Sequence, residues 1–414
     1  MFNEYIRIMK DVLLYLYRWT LWNVFSRIFV KFWLGPKYNF SKSPNSDPLP
    51  KPPFIIVANH GTFFDPWIIG YYSRYPFSIM CNDDAFRGSA ISRWYLNNIG
   101  AFPKKKGASD FKAMKKTLSS LQAGYPVCIF PEGQTTWDGE TQLIYKGIEK
   151  IIRHSKASLV MVRSNGNFLT KPWWADHLRK GKIECLYKTL PPDRLQTMSD
   201  NDLFFTIKNF IAHNDIKANS ALTTVFSGHN CADGLQRFLW ICIHCESEDT
   251  LFMKHDTIRC KACGSMWTLN ALGKLTPKKS LTKSFSDLHD WSQWHKIKVK
   301  NKLRSSSDDD ILATGQNVHF QELHGNNLYY ECGVGMLVLT KTKLSFSAPA
   351  KNIAMEFETN KIEDYVIQKK NILEIRFGTS YFRFVFHNAS TMKWLFYLRY
   401  IKGYEKSERQ GFLG

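Results

Sequence analysis

Two rhythms of apolar positions run along this chain. Between about residues 45 and 225, short apolar runs alternate with helical repeats. "FIIVA" (54–58) and "PVCIF" (126–130) are continuous apolar runs, the pattern of strands buried on both faces. "SLVMVRS" (158–164) and the alternating "KIECLYK" (182–188) predict two more strands. Pro66 opens a helical run "WIIGYYSRY"; "SDFKAMKKTLSSLQAG" carries Ser109 as N-cap and Gly124 as C-cap; "YKGIEKIIRHS" and "SDNDLFFTIKNFIAHN" predict further helices. Strands alternating with helices predict an α/β unit with a mixed sheet and flanking helices over residues 45–225. The preceding Pro-, Ser- and Lys-rich residues 36–53 read as a linker. From about 311 the period changes to two. "GMLVLTKTKLSFS" and "KIEDYVIQKKNILEIRFGTSYFRFVFH" read as strands, and "NASTMKWLFYLRYIKG" as an amphipathic helix, predicting a small β-barrel or sandwich with a closing helix over residues 311–408. Residues 273–310 have polar ends around a possible amphipathic helix, "SFSDLHDWSQWHKIKVKNKL".

The N-terminal pattern differs from both. "VLLYLYRWTLWNVFSRIFVKFWLG" (12–35) is aromatic-rich but interrupted by Arg18, Asn23, Arg27 and Lys31. A spanning helix needs about 20 mostly apolar residues, and a central Arg costs roughly 2.5–3.5 kcal/mol on insertion scales. The interleaving predicts one or two interfacial helices within residues 1–36, aromatics down and cations toward lipid headgroups, in preference to a buried core helix. The whole-chain charge agrees: 56 Lys+Arg against 36 Asp+Glu give a formal net charge of +20 over 414 residues. Such a chain calls for an acidic partner: anionic lipid, phosphorylated substrate or nucleic acid. Five scattered cysteines (Cys81, Cys128, Cys185, Cys231, Cys332) have no disulfide-like spacing, which points to a reducing compartment.

Candidate chemistry gathers at strand ends of the α/β unit, where open sheets place their sites. The run Asn59-His60-Gly-Thr-Phe-Phe-Asp65 follows the first buried strand. If the chain turns at Gly61-Thr62, Asp65 can swing back to accept an imidazole N–H, leaving the other nitrogen as a general base. Asp65 could equally cap a helix opened by Pro66, and the two roles are compatible. "GAFPKKK" (100–106) supplies Lys104, Lys105 and Lys106, either an anion-binding cluster or a solvated charge run. "FPEGQTT" (130–136) places Pro131, Glu132 and Gly133 directly after a second buried strand.

In this order and spacing the stretches resemble the glycerolipid acyltransferases, the 1-acylglycerol-3-phosphate acyltransferase family. The resemblance covers roughly residues 45–215: Asn59 to Asp65 match NHxxxxD, "GAFPKKK" resembles GaiPvdR, "FPEGQTT" resembles FPEGTRS, and "SLVMVRSNG" resembles the later strand and loop. It implies an O-acyltransferase that moves a fatty acyl group from acyl-CoA or acyl-carrier protein to a hydroxyl of a lysophospholipid-type acceptor. His60 would be the base and Asp65 its orienting partner; Asn59, Lys104–Lys106, Pro131, Glu132 and Gly133 would hold substrate. This chain has Lys106 where the family closes its second motif with Arg, and it lacks the arginine of the third. Arginine grips phosphate bidentately and lysine does not, so the resemblance implies the reaction class and leaves the acceptor open. A non-glycerophosphate acceptor, or a non-catalytic lipid- or nucleic-acid-binding protein on the same scaffold, is the alternative.

Cys242, Cys245, Cys260 and Cys263 form C-x2-C-x14-C-x2-C, the spacing of a zinc ribbon over residues 238–272 with structural Zn²⁺; His244 and His255 are bystanders. The 311–408 segment resembles a PH- or GRAM-like domain through "GMLVLTKTKLSFS" and Trp394, which implies headgroup or protein binding. Together these features place the protein on the cytoplasmic face of a membrane, peripheral or monotopic, with an anionic surface and not nucleic acid as partner.

Overall fold

The computed structural model describes residues 2–82, 85–86, 89–104, 111–144, 146–219, 225–278, 283–325 and 328–403. Its N-terminal unit is built on a seven-stranded mixed sheet. The strands are β1 (Phe40–Lys42), β2 (Phe54–Ala58), β3 (Ser78–Asn82), β4 (Phe102–Lys104), β5 (Val127–Ile129), β6 (Ser158–Asn165) and β7 (Ile183–Leu190), in the order β1-β7-β6-β2-β5-β3-β4. All neighbours are parallel except β6 and β7.

Alternate residues of each central strand point to opposite faces, and both faces are covered. Phe54, Ile56, Ala58, Val160 and Val162 pack with Trp22, Val30, Leu34, Ile68 and Ile69. Ile55, Val57, Val127, Leu159 and Met161 pack with Ile148, Ile151, Leu203 and Ile207 from helices Ile148–Ser155 and Asp200–Ile211. That double burial is why these strands read as unbroken apolar runs.

The first face is covered by a helical rod. Helix Phe2–Thr20 continues through π-helical Leu21–Ser26 and Val30–Leu34 to Tyr38, where Asn39 turns left-handed at φ 43°. Trp22 donates to the Ser73 carbonyl at 3.0 Å and meets Phe77 edge-on. Much of the rod's outer apolar surface stays exposed, with Leu13 at 59% and Phe32 at 68%. No helix among the described residues is long and apolar enough to cross a membrane.

Residues 36–53 are not the linker their composition suggests. β1 pairs with β7, and the Ser43 and Asp47 amides donate to the Cys185 and Tyr187 carbonyls, so this segment is zipped along the sheet edge. Three residues are too few to show a strand period.

Beyond residue 225, β8 (Leu251–Lys254), β9 (Thr257–Cys260), β10 (Met266–Leu269) and β11 (Leu275–Pro277) form a four-stranded antiparallel sheet. Helix Leu288–Ser305 follows, N-capped by Asp287. The C-terminal strands are β12 (Ala313–Leu323), β13 (Tyr329–Leu339), β14 (Lys343–Ala348), β15 (Ile353–Glu358), β16 (Ile362–Gln368), β17 (Ile372–Phe377) and β18 (Ser380–Val385). They form one antiparallel sheet, β15-β14-β13-β12-β18-β17-β16, and helix Thr391–Ile401 packs against it. The expected barrel or sandwich is not what is observed. No ladder joins edge strands β15 and β16 among the described residues, and period-two alternation does not say whether a sheet closes. One apolar cluster runs from Trp137, Phe168 and Trp174 of the first unit through Trp240 and Trp291 to Trp394. The later segments are therefore packed onto the first.

Candidate active site

β2 ends at Ala58 and delivers Asn59 and His60 to the mouth of the sheet. The Asn59 side chain exchanges two hydrogen bonds with the backbone of Ser164, locking the mouth of β2 to that of β6 at 2.8 and 2.9 Å. The chain then turns at Gly61. A Cβ there would stand 2.4 Å from the Asn167 side chain, so any other residue would have to displace the amide that donates to Asp65. Asp65 swings back as expected. Its Oδ2 takes the His60 Nδ1 proton at 2.9 Å and the Gly61 and Thr62 amides at 2.8 and 2.9 Å. Asn167 donates to Oδ1 at 3.3 Å. The carboxylate thus faces His60 and the turn, while Pro66 opens helix Asp65–Gly70. With Nδ1 committed to Asp65, Nε2 is the nitrogen free for proton transfer. The imidazole also stacks on Phe130, centroids 4.3 Å apart.

Glu132 is fully buried behind the histidine. One oxygen accepts from the His60 amide at 2.7 Å and the other from the Gln142 amide at 2.5 Å. Burial pushes its carboxyl up to about 8, against the downward pull of those two N–H donors. The Thr136 amide donates to the His60 carbonyl at 3.0 Å, so the loop after β5 is tied to β2 at both oxygens of this junction.

A small, partly open pocket lies here. His60, Asn59 and Gly61 line it with Glu132, Thr136, Gly139 and Thr141, and Asn167, Phe168 and His213 close the far side. Of the anticipated site residues it therefore gathers Asn59, His60 and Glu132. Pro131 is buried beside it and Gly133 is an exposed turn at φ 68°. Lys104 stands on edge strand β4, away from the pocket lining. Lys105, Lys106 and the expected cap Ser109 lie outside the described residues.

Two groups were missed in the sequence. His213 and Asn167 line the pocket, and Asp215 and Asp138 support it from behind. The available signal was a histidine two residues before an aspartate at the end of a capped helix. Asp138 is buried, and Oδ2 takes Ser292 Oγ and Lys296 Nζ, each at 3.0 Å. Burial raises this carboxyl, but Lys296 and His289 more than offset that and leave it below the usual range. Asp138, Glu140 and His289 place donor atoms within 4.8 Å of one another. With the Lys296 ammonium already on Asp138, the trio is an ion-pair network and not a cation cage.

Residues 41–164 match the acyltransferase family model. The matched stretch thus begins on β1 and contains His60, Asp65 and Glu132. The chain is 26% identical over 151 residues to a 1-acyl-sn-glycerol-3-phosphate acyltransferase of Chlamydomonas reinhardtii; that stretch is 36% of this chain and 45% of the relative, so the chain spans less than half of that relative's length. Among solved structures it is similar to the 1-acyl-sn-glycerophosphate (LPA) acyltransferase PlsC from Thermotoga maritima, at 15% identity and a TM-score of 0.38, over 52% of this chain and 98% of that one.

Away from the matched stretch, the four anticipated cysteines converge. Their sulfurs lie within 4.8 Å of one another, with Cys242–Cys263 at 3.8 Å and Cys245–Cys260 at 3.7 Å. A tetrahedron with metal–sulfur bonds of about 2.3 Å has edges of roughly 3.8 Å, so these thiols fit an ion. The amides of His244 and Cys245 point at Cys242 sulfur, and those of Ala262 and Cys263 at Cys260 sulfur. Each knuckle closes through a left-handed residue, Glu246 at φ 62° and Gly264 at φ 72°. His244 and His255 make other contacts, with the Lys283 amide and Asn230.

Proposed function

We propose that this protein transfers a fatty acyl group from a thioester, acyl-CoA or acyl-carrier protein, to a hydroxyl of a lysophospholipid-type acceptor at a membrane surface. His60 Nε2 removes the hydroxyl proton, and the acceptor oxygen attacks the thioester carbonyl directly. Asp65 fixes the tautomer and carries the imidazolium through the transition state. Asn59, Pro131, Glu132 and Gly133 shape the acceptor side, and the Lys104–Lys106 run supplies positive charge for the anionic part of a substrate. The observation that carries the reading is the 2.9 Å His60–Asp65 hydrogen bond, at a strand mouth that opens into a pocket.

The exposed apolar side of the rod supports docking on the anionic, cytoplasmic face of a membrane as a peripheral or monotopic protein. The four-thiolate cluster holds one structural Zn²⁺ in a zinc ribbon, and the C-terminal sheet with its helix acts as a PH/GRAM-like headgroup- or protein-binding module. The test is product identity. The full chain is incubated with acyl-CoA or acyl-carrier protein and a panel of lysophospholipids and monoacylglycerol, and the lipids are read by mass spectrometry. A new diacyl lipid is expected; no acylated product with any donor–acceptor pair would sink the proposal.

A further inference from the structure

The pocket holds a second histidine–aspartate pair that the mechanism above does not use. His213 follows helix Asp200–Ile211, and its Nε2 lies 2.7 Å from Asp215 Oδ1. Asp215 is buried, and its two oxygens also accept the amides of Gly166 and Phe168 at 2.7 and 2.8 Å. The backbone of His213 is bonded both ways to Thr141, so the imidazole is fixed on the loop that follows Glu132. Asn167 braces both pairs: its side chain donates to Asp65, and the Phe168 amide next to it donates to Asp215. With Nε2 committed to Asp215, His213 Nδ1 has no hydrogen-bond partner among the described residues, and the residue lines the same pocket as His60. The plain reading is that His213 merely satisfies a buried aspartate. That accounts for Nε2 and leaves Nδ1, on a residue that lines the pocket, without a task.

Resting on the acyl-transfer reading, we propose that His213 is a second catalytic residue, the general acid that protonates the departing thiolate. Among the described residues the pocket lining has no lysine or arginine, and aspartates stand behind both histidines. That suits proton movement better than phosphate binding. The bookkeeping closes. The acceptor hydroxyl gives its proton to His60 as the new ester C–O bond forms; the C–S bond breaks and the sulfur takes the proton on His213 Nδ1. His60 ends with one proton more and His213 with one fewer, and exchange through water resets the pair.

The experiment varies the leaving group. Turnover of 1-acylglycerol 3-phosphate in mixed vesicles is measured with acyl-CoA and with the S-phenyl thioester of the same acyl chain, whose aryl thiolate leaves without a proton. His213→Gln is expected to lose about 10²-fold in kcat with acyl-CoA, at unchanged KM. With the phenyl thioester the loss should shrink to a few-fold, while His60→Gln fails with both donors. An equal loss with both donors would overturn the proposal and make His213 a structural residue. The pH profile of the unmodified protein gives a second readout that needs no variant to fold. The titratable groups facing His213 are Asp215 on its own segment, His60 and Glu132 in the pocket, and Glu140, whose residue bridges Asn214. A general acid must be protonated, so the acyl-CoA rate falls as pH rises, and that limb should vanish with the phenyl thioester. A limb shared by both donors belongs to another group, Glu132 among them, and counts against His213. Were the unmodified protein to transfer no acyl group from either donor to this or any other lysolipid, the acyl-transfer reading would fall first and this assignment with it.

Discussion

Three donors converge on one oxygen of Asp65, the His60 ring and the amides of Gly61 and Thr62. An amide in its place offers one acceptor oxygen and an N–H₂ that cannot serve the same cluster. Asp65→Asn is therefore expected to hold the fold but lower kcat by about 10²–10⁴ as the imidazole loses its tautomer control, read by steady-state acyl transfer beside circular dichroism. Glu132 gives a pH prediction. Its carboxyl sits at about 8 in the folded chain against an ordinary value near 4.5. Between those limits the folded state binds the proton that the unfolded state has released, so this group makes stability fall as pH rises from about 4.5 to 8. Glu132→Gln should flatten that slope, seen as a smaller drop in thermal midpoint between pH 5 and pH 8; an unchanged slope would show that the buried carboxyl is ionised throughout. At this scale the sequence was readable where the chemistry is contiguous. Asn59, His60 and Asp65 lie within seven residues and one turn brings them together. Asn167, His213 and Asp215 meet them only through the order of β6, β2 and the last helix of the unit, which no local spacing reports.

Helix Leu288–Ser305 joins the cysteine-bearing sheet to the C-terminal sheet and also touches the loop that lines the pocket. Ser292 and Lys296 hold Asp138, and Thr136 Oγ1 donates to the other Asp138 oxygen at 3.3 Å. The loop that lines the pocket is thus clamped from outside its own unit. Lys296→Met removes the one ammonium on a buried carboxylate and should destabilise the protein by about 1–3 kcal/mol, with lower turnover because Thr136 and Gly139 lose their backing; differential scanning calorimetry and kcat check the two parts. The cysteine cluster borders the same helix: Trp291 Nε1 donates to the Ile241 carbonyl beside Cys242 at 3.1 Å, and Lys298 pairs with Glu246 of the first knuckle. Metal analysis should find about one Zn²⁺ per chain, and Cys260→Ser should abolish it and lower the thermal midpoint, since Arg179 of the first unit donates to the Ala271 carbonyl beside this cluster and to the Cys231 carbonyl ahead of it. The four-cysteine cluster was legible because two C-x2-C knuckles are local signatures. The Asp138 clamp was not, because its halves lie 154 and 158 residues apart.

For the whole molecule, a net charge of +20 and an apolar rod give a basic body with one greasy side. The α/β architecture was readable from buried runs such as "FIIVA", whose alternate residues feed two separate clusters. The C-terminal strands were readable one by one, but whether their sheet closes depends on contacts between its edges and not on any single strand. The rod predicts vesicle binding. Phe25 and Phe32 are 61% and 68% exposed, and replacing both with Ser should weaken binding to anionic vesicles by about tenfold or more, while added salt weakens the unmodified protein. Cosedimentation unaffected by either change would remove the rod from the docking surface. Whether His60 moves the acceptor's proton is decided by comparing the full chain with His60→Gln for acyl transfer from acyl-CoA to a lysophospholipid on vesicles. The unmodified protein should form a diacyl product and the variant should lose about 10²–10⁴-fold at equal folding; equal product formation by both would rule out His60 as the base.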